Sequence, residues 1–85
     1  PTPAQLASYA GTYDFAGTKL QIVHANQRLY LEGPGEPRHR MAPVTDVAFW
    51  IEALQSVAFF HAEGGAVRQV VFQIGDRQLV APRAP

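Results

Sequence analysis

An 85-residue chain has room for one domain, and 47% hydrophobic against 16% charged residues marks it as folded rather than disordered. Seven basic and seven acidic side chains cancel, so no overall field draws in nucleic acid, anionic lipid or acidic substrates, and the absence of cysteine removes disulfides, thiolate metal sites and cysteine nucleophiles. No run approaches the roughly 20 apolar residues of a membrane-spanning helix.

The chain opens with prolines at Pro1 and Pro3 and closes with Pro82 and Pro85, the composition of linker joints, which leads us to expect a domain of a longer polypeptide. Thr2-Pro3-Ala4-Gln5 has the form of a capping box: Thr2 as N-cap, Pro3 at the first helical position, Gln5 placed to reach back. About two helical turns are expected, ending near Ser8. A first strand then runs from Ala10 to Phe15. Its spacing sets Tyr9, Gly11, Tyr13 and Phe15 on one side, with Gly11 leaving a gap where the strand bends or another backbone approaches.

Ala16-Gly17 supplies a tight turn into a second strand, Lys19 to His24, where Leu20, Ile22 and His24 alternate with Lys19, Gln21 and Val23. Asn26-Gln27 turns the chain into Arg28 to Glu32, with Leu29 and Leu31 inward and Tyr30 outward. Gly33-Pro34-Gly35-Glu36-Pro37 cannot hold a ladder and reads as a loop. A fourth strand, Arg38 to Ala42, has Met41 as its sole large apolar residue and meets Pro43 at once, the signature of an edge or bulged strand.

Val47 to Glu52 and Ser56 to His61 are the strongest strand signals. Centring their hairpin on Leu54 pairs Phe49 with Phe59 and Ile51 with Val57 on the core side, and puts Trp50 and Phe60 on the other. A shift of one in register regroups the rings. Glu63-Gly64-Gly65 leads into Val67 to Ile74, and Gly75-Asp76 into Arg77 to Ala81. About eight short strands with turn signals every 8 to 12 residues predict an all-β antiparallel meander, rolled into a half-barrel or barrel, with a short N-terminal helical turn.

Chemistry-bearing constellations are sparse. Ser8 and Ser56 are the only serines, and neither has a lysine three residues on or a glycine-flanked elbow, so a serine nucleophile has no support. The chain by itself is expected not to be an enzyme. His24, His39 and His61 lie on separate strands without metal-ligand spacing, and no metal or other cofactor is expected. Acidic residues are scattered singly, without the pairing a glycosidase needs. Arg38-His39-Arg40 with Arg28 is a small basic cluster lacking interleaved aromatics, better read as a charged edge than as an anion or nucleic-acid site. The glycine pairs do not join strand to helix and are turns, not phosphate loops.

Two surfaces remain as candidates. Tyr9, Tyr13, Phe15, Phe49 and Phe59 would line an apolar cavity in a barrel mouth, the competing reading being a solid core. Trp50, Phe60 and Val71, extended by Tyr30 and Val23, would form an exposed apolar interface, unless the barrel buries Trp50 in its own core.

The run Leu6-Ala7-Ser8-Tyr9-Ala10-Gly11-Thr12-Tyr13-Asp14-Phe15 resembles the L-x-x-Y-x-G-x-Y-x-F opening of a lipocalin-like β-barrel domain. That domain is appended, usually C-terminally, to bacterial serine β-lactamase and penicillin-binding-protein-like hydrolases. The likeness continues through Leu20-Gln21-Ile22, Leu29-Tyr30-Leu31, Met41-Ala42-Pro43, Phe49, Val57-Ala58-Phe59, Gly65-Ala66-Val67 and Ala81-Pro82-Arg83. The resemblance implies a strongly curved antiparallel sheet without catalytic residues of its own. It also implies an accessory role, aiding oligomerisation or shaping access to a neighbouring hydrolase site, in a periplasmic or secreted setting. The expected partner is the parent hydrolase domain or a second copy; the alternative function is a small barrel carrying an apolar small molecule.

Overall fold

A computed structural model describes all 85 residues. Helix α1 spans Pro3–Tyr9, and eight strands follow: β1 Gly11–Phe15, β2 Thr18–Ala25, β3 Arg28–Glu32, β4 His39–Pro43, β5 Ala48–Ile51, β6 Ser56–Glu63, β7 Ala66–Ile74 and β8 Arg77–Pro82. A single 3-10 turn, Glu52–Leu54, separates β5 from β6. Each strand pairs antiparallel with the next in an unbroken meander. The sheet rolls until β1 meets the chain's end, where Tyr13 bridges to Arg83 and the Ala84 amide donates to the Thr12 carbonyl at 2.9 Å. A nearly closed eight-stranded barrel results, as the alternation and turn spacing lead one to expect.

Tight turns fix the registers. Ala16 and Gly17, and again Asn26 and Gln27, both take positive φ, the geometry that follows the right-handed twist of the flanking strands. Gly64 and Gly65 do the same between β6 and β7. Inward positions follow the period of two: Tyr13 faces Leu20, Ile22 faces Leu31, Leu29 faces Met41, and Phe60 faces Val70. With these rings and branched chains turned inward, 15 buried residues form one core cluster.

The capping box forms as read. The Gln5 amide donates to Thr2 Oγ1 at 3.1 Å, and the Thr2 amide donates to Gln5 Oε1 at 2.7 Å. The helix runs one residue beyond Ser8, so Tyr9 is its last residue and does not share a strand face with Gly11, Tyr13 and Phe15. Tyr9 thereby swings over the barrel's end, stacking on Phe60 at 4.2 Å and meeting Phe49 edge-on at 5.8 Å.

Two expectations fail. β4 is not an edge: His39 to Met41 pair with β3, while Ala42 and Pro43 pair with β5, so this short strand makes the corner between the two halves of the sheet. The β5 to β6 hairpin is not centred on Leu54. Gln55 adopts the left-handed conformation and closes a four-residue connection, pairing Ile51 with Ser56 and Phe49 with Ala58. The parity of β6 is therefore reversed. Phe60 turns into the core at 6% exposure and Phe59 turns out at 42%.

Candidate functional site

In a meander the two ends of the barrel are unlike by construction. Helix α1, the Asn26-Gln27 turn, the segment from Val44 to Val47 and the Gly64-Gly65 turn share one end. That end is sealed. Leu6 and Tyr9 are buried there, and the Tyr9 hydroxyl donates to the Asp46 carbonyl at 2.6 Å. Beneath it the Tyr13 hydroxyl donates to the Tyr9 carbonyl at 2.8 Å, a chain of bonds through the plug.

Burial pushes the Tyr13 phenol up to about 12, against the pull of the Arg83 guanidinium and with a smaller upward push from Tyr9. Burial, and then the Asp46 carboxylate, raise the Tyr9 phenol in the same direction. Both rings are neutral structural groups.

The other end carries the remaining hairpin turns and the loop from Gly33 to Arg38, and it is open. A cavity of about 170 Å³ lies in this mouth. Phe15, Leu20 and Leu31 form one wall, Phe72, Ile74 and Leu79 the facing wall, and Leu54 of the 3-10 turn overhangs it. The wall residues occupy inward positions within about three residues of a hairpin turn or loop, toward the open end of their strands. Gly33, Glu36 and His39 complete the rim. The Glu36 carboxylate packs over Gly33, 3.2 Å from where a Cβ there would stand.

Of the five aromatic residues expected to line a cavity in a barrel mouth, only Phe15 lines the open mouth, and Phe49 borders the cleft beside the helix. Tyr9, Tyr13 and Phe49 belong to the solid core, because the helix fills their end of the barrel, and Phe59 lies on the outer surface. Sequence reasoning passed over Leu20, Leu31, Leu54, Phe72, Ile74 and Leu79. The readable signal was position: inward parity within about three residues of a turn or loop.

The outer face of β5 to β8 carries the second candidate surface. Register aligns Ala48, Phe59, Val71 and Val80 in one row across four strands. Phe59 and Val80 are exposed and Val71 is half-buried. Trp50 and Val57 stand as a pair in the adjoining row, and the Trp50 indole N–H donates to the Glu52 carboxylate. Phe60 must be removed from the expected interface and Phe59 put in its place. Tyr30 is separate too. It pairs with Val23 and Arg40 on the other half of the sheet, and the Arg38 guanidinium covers its ring at 4.9 Å.

The other chemistry-bearing residues do not converge. Ser8 donates to the Gln5 carbonyl at 2.6 Å, and Ser56 is fully buried without a hydrogen-bond partner. His24 pairs with Leu29, His39 stands on the mouth rim, and His61 faces outward beside Gln69. No three His, Asp or Glu side chains come together. Arg38 is held by Glu32 at 2.7 Å rather than left in a basic cluster with Arg28 and Arg40. On the β1 to β2 hairpin, a hydrogen bond from Lys19 and the Gly17 amide hold the Asp14 carboxyl below the usual carboxylate range. No helix is long and apolar enough to cross a membrane. Comparison with protein-family models, with curated proteins and with solved structures finds no match for the chain.

Proposed function

We propose that this barrel is a non-catalytic accessory domain that docks through the outer face of β5 to β8. The occupant of that face is a neighbouring hydrolase domain of the same polypeptide or a second copy of the barrel. The observation that carries the reading is the row of exposed Phe59, half-buried Val71 and exposed Val80, flanked by the half-buried Trp50 and Val57. Apolar side chains gathered on one face of a small soluble barrel mark an interaction surface, and tryptophan is among the residues most enriched at interface hot spots. The zero net charge adds no repulsion against such contact. The β-lactamase-like setting comes from the resemblance of the Leu6 to Phe15 stretch.

Cysteine placed at Val80 and challenged with a thiol reagent tests the reading. Val80→Cys is expected to react freely in the dilute isolated barrel and to be protected in the longer natural polypeptide or at concentrations where the barrel dimerises. Equal reactivity in all three states, with light scattering reporting a monomer throughout, would sink the proposal. Phe59→Glu should keep the fold and lose the protection.

A further inference from the structure

The open mouth is a second surface, on a different part of the barrel, and its chemistry is specific enough to name a ligand class. We infer that the mouth binds one small arylalkylammonium: a six-membered ring seated among the strand-end apolar residues, its ammonium held by Glu36.

Size selects the ring. An apolar cavity of about 150 Å³ lined by Leu, Ile and Phe takes up benzene, whereas pockets for drug-sized molecules run to about 300 Å³ and above. At about 170 Å³ the mouth holds a single ring with a short tail and no second ring. Seven of its ten lining residues are hydrophobic, so the buried part of the ligand is apolar.

Charge selects the head group. The rim offers one carboxylate, Glu36, and one imidazole, His39, and no lysine or arginine lines the mouth. The side-chain ion pairs leave Glu36 free: Arg38 is engaged by Glu32 and Lys19 by Asp14. A ligand carboxylate would meet Glu36 as a like charge; an ammonium gains a charge-assisted hydrogen bond at the rim while the ring stays below. Gly33 keeps that route open, since a side chain there would meet the Glu36 carboxylate and displace it.

The test is a proton–nitrogen correlation NMR titration of the 85-residue chain at low salt with 2-phenylethylamine, 2-phenylethanol and phenylacetate. The amine is expected to give saturable shifts at the amides of Leu31, Leu54 and Ile74, with a Kd on the order of 1 mM, as suits so few heavy atoms. The alcohol should bind more weakly and phenylacetate least. Glu36→Gln, on an exposed loop where folding is not at stake, should weaken the amine about two- to fivefold and leave the alcohol unchanged. Leu54→Trp, which fills the overhang, should abolish both. Shifts that do not saturate or spread over the outer face, phenylacetate binding as tightly as the amine, or amine affinity indifferent to Glu36→Gln would each overturn the inference. None of these readouts depends on the docking face.

Discussion

The guanidinium of Arg83 occupies the place where a side chain at Gly11 would be: a Cβ built on Gly11 stands 2.8 Å from Arg83 Nη2. From there Arg83 donates to the Ser8 carbonyl at 2.9 Å and to the Ala10 carbonyl, and lies 5.5 Å over the Tyr13 ring. These carbonyls are left unpaired by the end of α1, and a cation is the partner such an end favours. The second-last strand contact of the chain thus clasps its first helix to its first strand and closes the barrel seam.

That relationship makes Gly11→Ala costly twice over, because Gly11 also has φ of +149°, a conformation other residues rarely adopt. We expect a loss of about 1–3 kcal/mol, read as a melting-temperature fall of about 4–8 °C per kcal/mol for a domain of this size. Arg83→Ala alone should cost about 1–2 kcal/mol from the lost carbonyl bonds. The double variant should lose less than the sum, since the new methyl no longer displaces anything. Strict additivity in thermal denaturation would refute the clasp.

Alkaline stability should follow Tyr13. Its phenol ionises near 10 when exposed and is pushed up to about 12 in the fold, so between those values the unfolded chain has released a proton that the folded chain keeps. Stability is therefore fully present below about pH 10 and is lost as pH rises toward about 12. Tyrosinate absorbance followed together with circular dichroism checks this. The Tyr13 phenol should ionise together with loss of the barrel, and an ionisation that leaves the dichroism unchanged would contradict it. Tyr13→Phe should flatten the alkaline limb while lowering stability at neutral pH through the lost bond to the Tyr9 carbonyl.

How far the sequence could be read depended on how many signals agreed at each position. At the N-terminus Thr2, Pro3 and Gln5 each favoured the same helix start, and that start is what forms. Between β1 and β3 the turn residues and the alternation of Leu20, Ile22, Leu29 and Leu31 specify one register only. The β5 to β6 hairpin was ambiguous for a physical reason. Phe49-Trp50 and Phe59-Phe60 put a large ring on either face, so the alternation is satisfied by both registers. The choice was made by Gln55 entering the left-handed region, a conformation its sequence does not announce. The mouth was missed because the brightest aromatic residues lie under the helix plug, while the open end is lined mainly by leucines.

The observed register has a direct mutational signature. Phe60 touches Tyr9, Phe49 and Tyr13, with ring centroids at 4.2, 5.6 and 6.1 Å. Phe60→Ala removes these contacts and opens a cavity under the plug, at a cost of about 3–5 kcal/mol. Phe59→Ala, on the outer face, should cost under about 1 kcal/mol. Urea denaturation of the pair decides between registers, and a larger loss for Phe59→Ala would restore the Leu54-centred hairpin.

Ser56 offers the converse case, a substitution expected to stabilise. The reversed parity of β6 turns this residue inward opposite Ile51, where it is 0% exposed and its hydroxyl has no hydrogen-bond partner. An unpaired buried hydroxyl forfeits its bonds to water and costs about 1–3 kcal/mol. Removing it leaves a methyl that suits the apolar surroundings and only a small void, so Ser56→Ala should raise stability by about 1 kcal/mol. Ser8→Ala is the control. That exposed hydroxyl already bonds to the Gln5 carbonyl, and its loss should change stability by no more than about 0.5 kcal/mol. Melting curves of the two variants beside the parent chain check both, and a clear destabilisation by Ser56→Ala would mean that the hydroxyl is bonded after all and that β6 does not carry it into the core.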